Sequence, residues 1–143
     1  MAEAREREAA AWLHRARDDL GAARKLLAGS DPFAATAAYH CQQAAEKALK
    51  AMIASTGDAI PKTHDLRVLL GRCIPLDQSL DELADACDEL TPYATEFRYP
   101  GDTPDPGPDQ VRGACDLAER IVATIACRIV RSAAQSGASR ADT

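Results

Sequence analysis

The stretch from Phe33 to Ser55 constrains this chain more than any other. Ala38, Cys41, Ala45, Leu49 and Met52 recur at three- and four-residue steps and make one apolar stripe of a helix. Ala37, Ala44, Ala48 and Ala51 make a second, nearly bare face. A helix that is apolar on two sides packs against neighbours on two sides, and small side chains let another backbone approach closely. The segment therefore predicts the central helix of a bundle, or a dimer face.

The flanking sequence supplies the neighbours. From about Glu3 to Ala28, Ala9, Leu13, Ala16, Leu20, Ala23 and Leu27 share one face, with Arg15, Asp18, Asp19 and Lys25 on the other and Gly29 as the stop. Asp31 is positioned to cap the second helix, with Pro32 at its first position. A short third helix is expected from Thr63 to about Arg72, with Leu66, Leu69 and Leu70 inward and Pro75 as breaker. Ser79 and Glu82 have capping-box spacing, which predicts a fourth helix with Leu80, Leu83, Cys87 and Leu90 inward. A fifth runs from about Asp109 to Arg131 on Val111, Ala114, Cys115, Ala118, Val122, Ile125 and Ile129. The expected fold is all-α: an antiparallel up-down bundle of four long helices and one short one. It forms one domain over residues 3–131, followed by a small polar tail, residues 132–143, expected to be disordered.

Composition agrees and narrows the function. The 143 residues suffice for a real core, and a 46% hydrophobic fraction rich in alanine with only 4% aromatics favours helix over sheet. A net charge of −5 leaves no basic surplus, so any nucleic-acid contact has to be local. No apolar run approaches the ~18–20 residues that cross a bilayer, and the start MAEAREREAAAWL lacks a secretory signal, so a cytoplasmic location is expected. The five cysteines, Cys41, Cys73, Cys87, Cys115 and Cys127, show no C-x-x-C pair. Their odd number argues against a disulfide framework, and they read as buried reduced thiols. His14, His40 and His64 fall on separate helices, and neither a metal site nor a cofactor is expected.

Three segments together resemble the HEPN family, the higher eukaryote and prokaryote nucleotide-binding domain. They are YHCQQAAEKALKA from Tyr39 to Ala51, PKTHDL from Pro61 to Leu66, and FRYPGD from Phe97 to Asp102, and the resemblance covers roughly residues 8 to 131. It implies a helical bundle, usually a homodimer, often encoded beside a small nucleotidyltransferase in a toxin–antitoxin pair. A large branch of the family carries an Arg followed, after four to six residues, by a His that serves a metal-independent ribonuclease site at the dimer cleft. There the His acts as general acid or base and the Arg stabilises the phosphorane. This chain departs from that pattern: Thr103, Pro104 and Asp105 stand where the His after Arg98 would fall. Arg7 and His14 match the spacing literally, but on the first helix rather than late in the chain, and we take the match as coincidental. The chain thus resembles the branch without the ribonuclease motif.

The candidate site residues follow from these segments. Tyr39, Gln43, Glu46 and Lys50 lie within about 60° of one another on the second helix. They read equally as a solvated face with a Glu46–Lys50 pair or as a polar stripe lining a cleft. Gln42 sits nearer the apolar stripe, where a buried amide needs partners, and is expected to bond a loop carbonyl. Thr63 is placed to cap the third helix, leaving Lys62, Thr63 and His64 at a potential anion site. Between Thr91 and Pro108 runs a proline-rich loop bearing Tyr93, Phe97 and Tyr99 around Arg98. These rings either pin the loop to the bundle or form a base-stacking surface, with Arg98 as phosphate partner and Asp102 as acceptor. The resemblance adds that Tyr99 is a position a partner enzyme can nucleotidylate.

Three functions fit. The first is a module that dimerises and binds a nucleotide, a small nucleotidyltransferase partner, or both, in a toxin–antitoxin or related regulatory system. The second is a ribonuclease toxin using Arg98, His64 and Tyr99. The third is a ligand-free assembly scaffold. The first two require the helix-two stripe, the threonine–histidine turn and the arginine-bearing loop to converge on one cleft.

Overall fold

A computed structural model of the chain describes residues 1–97, 99–101 and 103–141. Its five α-helices are α1 (Ala2–Leu27), α2 (Ala34–Thr56), α3 (Leu66–Cys73), α4 (Ala84–Leu90) and α5 (Pro108–Ala141). Single 3-10 segments, Gln78–Leu83 and Thr91–Ala94, flank α4, and no strand occurs among the described residues. The expected helical bundle is therefore present.

Gly29, at φ +86°, ends α1, and the Phe33 amide donates back to the Leu26 carbonyl at 2.8 Å, so α2 folds directly onto α1. Gly57, at φ +82°, ends α2 in the left-handed conformation that glycine adopts at least cost. Along α1 and α2, Trp12 lies by Lys50 and Asp19 by His40, so the two helices run antiparallel. Arg24 of α1 pairs with Asp116 and Glu119 of α5, and Cys41 of α2 meets Cys115 of α5. Thus α2 is packed between α1 and α5. Ala37, Ala44, Ala48 and Ala51 are all fully buried, as the bare face required, and so are Leu49 and Cys41 of the main stripe.

The fourth leg differs from expectation. The capping box at Ser79 does not form. Asp77 accepts from the Ser79 amide at 3.0 Å and from its hydroxyl at 2.6 Å, and the chain enters a 3-10 segment before α4. The bundle therefore has three long helices, and its fourth leg is α4 between two 3-10 turns. Leu80, Leu83, Cys87 and Leu90 still point inward as predicted. Arg128 of α5 clasps this leg, with Nε 2.5 Å from Asp77 and a terminal nitrogen donating to Ser79. Two other starts shift as well. Phe33, not Asp31, precedes α2, without a side-chain cap, and α3 begins at Leu66, with Asp65 accepting from the Arg67 amide.

At the far end α5 begins at Pro108, where proline's missing N–H costs nothing. It runs on to Ala141, past the end expected near Arg131. No proline interrupts that run, and its alanines favour helix. No helix among the described residues is long and apolar enough to cross a membrane.

Ala48 is fully buried in the seam around α2. Ala48→Leu is expected to destabilise the protein by roughly 1–3 kcal/mol through overpacking. The measurement is the urea-unfolding midpoint, and an unchanged midpoint would show that the seam has room.

Candidate functional site

Glu46 is the centre of the site. It lies in the middle of α2 and is 4% exposed. Burying a carboxylate without partners is costly, so the local structure must bring them. His64 Nδ1 lies 2.8 Å from Glu46 Oε1, and Lys50 Nζ lies 3.0 Å from Oε2, one helical turn along. Gln42 Nε2 donates to the His64 carbonyl at 2.9 Å and lies 3.3 Å from Glu46 Oε1. Gln43 Nε2 donates to Gln42 Oε1 at 2.8 Å, which closes the network.

The Glu46–Lys50 pair that the spacing suggested forms, but on a face that is largely covered rather than solvated. Glu46 and Gln43 are buried and Lys50 is mostly so, because α1 and the segment before α3 cover this side of α2. Rather than lining an open cleft, the stripe backs the turn that carries His64. Gln42 does what a core amide should, bonding the carbonyl of a neighbouring loop. Tyr39 is half-buried at the edge, its ring 5.7 Å from that of His40 in an edge-on contact.

In the turn from Lys62 to Asp65, side chains take up the backbone amides that lead into α3. Thr63 accepts from the Asp65 amide at 3.1 Å instead of capping the helix. Thr91 and Asp65 accept from the first two amides of α3, those of Leu66 and Arg67. What the turn offers a ligand is side chains. Lys62 is exposed, and the His64 side chain is 68% exposed while its Nδ1 is held by buried Glu46. A fixed Nδ1 leaves Nε2 as the ring nitrogen that faces a ligand.

The aromatic loop divides. Tyr93 is buried, its hydroxyl accepting from Gln110 Nε2 at 2.8 Å, and its ring lies 5.4 Å from Phe97. These two pin the loop to the bundle. Tyr99 is 69% exposed. Arg98 and Asp102 lie outside the described residues. Of the three expected segments, the structure brings two together, the helix-two stripe and the threonine–histidine turn, through the Glu46–His64 contact.

Two further features escaped the sequence reading. Lys50 Nζ sits 5.7 Å from the centroid of the Trp12 ring, within cation–π range, and Ala11, Trp12 and Arg15 line a shallow depression on the surface of α1. A lone tryptophan beside an alanine-rich stripe was the available signal. Asp19, assigned from its pattern to the solvent face of α1, is 9% exposed and bonded to His40 Nδ1 at 2.8 Å and Lys47 Nζ at 2.6 Å. No local signal distinguishes it from Asp18 beside it, which stays exposed. Among the described residues no group of three or more His, Cys, Asp or Glu side chains is placed to hold a metal ion.

Removing the Glu46 carboxylate strands Lys50 and Gln42 in a low-dielectric site. Glu46→Ala is expected to cost roughly 2–4 kcal/mol, and His64→Ala less than about 1 kcal/mol because that ring is mostly solvated. Urea unfolding of both variants checks the ordering. Equal small losses would show that the network is not what holds this end of α2.

Comparison with known proteins supplies the context for this geometry. No curated protein matches the chain. A solved structure, that of TT1696 from Thermus thermophilus, superposes with a TM-score of 0.75 at 30% sequence identity, covering 85% of this chain and 98% of that one. The HEPN domain family model matches residues 9–129, a span that includes most of α1, the Glu46 network, the His64 turn and most of α5. This chain belongs to the HEPN domain family.

Proposed function

We propose that the protein is a nucleotide-binding HEPN module whose ligand contacts the His64 turn. The observation that carries this reading is the exposed His64 ring fixed through Nδ1 by a carboxylate that is itself buried. Stability alone favours apolar residues over a buried ionic network of this size. Such a network presents an oriented imidazole outward, with the Lys62 ammonium two residues away, and together they suit the phosphate of a nucleotide. The Trp12 ring and the shallow depression it lines with Arg15 supply an aromatic surface and a second cation on the adjoining helix. Arg98, Tyr99 and Asp102 remain part of the proposed ligand surface on the strength of the family resemblance.

The module acts as a homodimer and works with a small nucleotidyltransferase in a toxin–antitoxin or related regulatory pair. Family membership supports both statements. The surface adds that Val130, 67% exposed, stands with Ile129 and Leu13 at a groove of about 430 Å³ between α1 and α5, which a second copy can cover. Tyr99, with 69% of its surface open, is accessible to a partner that modifies tyrosine.

A thermal-shift series with ATP, ADP and GMP tests the binding. A nucleotide at 100 times its dissociation constant should stabilise the fold by ~2.7 kcal/mol. The shift should disappear in His64→Ala while that variant keeps a melting temperature close to the wild type's without ligand. Absence of any shift up to millimolar nucleotide would leave the scaffold function.

The Glu46–His64 pair also favours a second reading, a ribonuclease. A carboxylate-oriented imidazole is the arrangement of a general base. In that reading His64 Nε2 takes the ribose 2′-hydroxyl proton, with Arg98 and Tyr99 from the loop at the phosphate. Incubation of purified protein with single-stranded RNA decides. Cleavage that falls by about 100-fold or more in both His64→Ala and Arg98→Ala identifies the enzyme, and intact RNA with wild type excludes it.

A further inference from the structure

Two of the five cysteines meet in the core. Cys41 of α2 and Cys115 of α5 are each 0% exposed, and their Sγ atoms lie 3.0 Å apart. A disulfide is ~2.05 Å long, so closing the pair asks for a movement of about 1 Å. The two residues are 74 positions apart, and no spacing rule pairs them.

The other cysteines are placed differently. Burial pushes the Cys73 and Cys87 thiols up to about 12, and Cys73 Sγ is turned towards the Leu49 carbonyl at 3.6 Å. Cys127 is exposed on α5. Cys115 stands apart. The hydrogen bond it shares with Cys41 holds it below the ordinary thiol range, against the opposing effect of burial, and the Arg24 guanidinium adds to the lowering. Asp116 and Glu119 oppose this, but both carboxylates are ion-paired to Arg24. The same contact, together with burial, raises Cys41.

We propose that Cys41 and Cys115 are an oxidisable dithiol that a hydroperoxide converts to a reversible disulfide stapling α2 to α5. When the α2–α5 seam opens, Cys115 gives up its proton to the entering water and attacks one peroxide oxygen. The O–O bond breaks, Cys115 becomes a sulfenic acid, and the departing hydroxide takes up a proton as water. The Cys41 sulfur then displaces the hydroxyl from Cys115 and its own proton leaves with that hydroxyl as a second water. Two thiols and one hydrogen peroxide give one disulfide and two waters. A dithiol reductant reverses the reaction. Because both sulfurs are covered, the oxidant enters when the α2–α5 seam opens, and exposed Cys127 reacts first. Cys41 immediately precedes Gln42, so the staple acts on the helix segment that holds the Glu46 network. The inference rests on the sulfur geometry and stands independently of any nucleotide ligand.

The full chain carrying Cys127→Ser, treated with hydrogen peroxide, tests it. The protein is then unfolded, labelled with a maleimide and mapped by peptide mass. The expected result is loss of label at Cys41 and Cys115 alone and a linked peptide pair lighter by two hydrogens, with Cys73 and Cys87 fully labelled. Dithiothreitol should restore both labels, and Cys41→Ala in the same background should abolish the link. The peptide map of the Cys127→Ser protein decides even if the alanine variant does not fold. Full labelling of all four thiols after oxidation would overturn the proposal. So would a Cys115 sulfinic acid beside an unmodified Cys41, or a link between any other pair.

Discussion

The structure depends on how completely α2 is enclosed. Of its 23 residues, 14 are buried, so almost every side chain on it must either pack or find a partner inside the protein. The alanines at 37, 44, 48 and 51 make this possible, because they let α1 and α5 approach on adjacent sides without leaving space between them. Larger side chains there would push the neighbours apart and expose the leucines of the main stripe.

Enclosure then dictates what the polar residues of α2 can do. Gln42, Gln43 and Glu46 cannot reach bulk water, so each is satisfied by a named partner: the His64 carbonyl, the neighbouring glutamine, and the Lys50–His64 pair. On the α1 side Asp19 plays the corresponding role for His40 and Lys47. Two carboxylates, one on each helix, thus lock the side chains between α1, α2 and the turn before α3. Buried ionic groups of this kind add little net stability over apolar packing, but an unmade bond among them is expensive. They fix register and ring orientation.

The most exposed residue of these networks is His64. His64 is held from behind and open in front, next to Lys62 and on the same side of α2 as the Lys50–Trp12 contact. The loop after α4 contributes anchors, Tyr93 and Phe97, before it reaches the exposed Tyr99. A HEPN domain that lacks the late Arg–His spacing thus still presents an oriented histidine, from a different element.

Periodicity determined most of the fold. Apolar steps of three and four placed α1, α2 and α5 and most of their buried apolar residues, because burial of one face depends largely on local repeat. Helix starts were less legible: Thr63, Ser79 and Asp31 all looked like caps, yet Asp65 and Asp77 took that role at α3 and at the turn before α4, because capping depends on where neighbouring backbone leaves an amide free. The site was half legible. The glutamine–glutamate run and the threonine–histidine turn stood out in the chain, but only the packing of the 62–65 turn over α2 brought Glu46 and His64 together. Trp12 against Lys50, Asp19 against His40 and Cys41 against Cys115 were decided wholly by tertiary structure. Each joins residues tens of positions apart on different helices, and the rotation and offset of one helix on another are set by how side chains interdigitate, which no local pattern encodes.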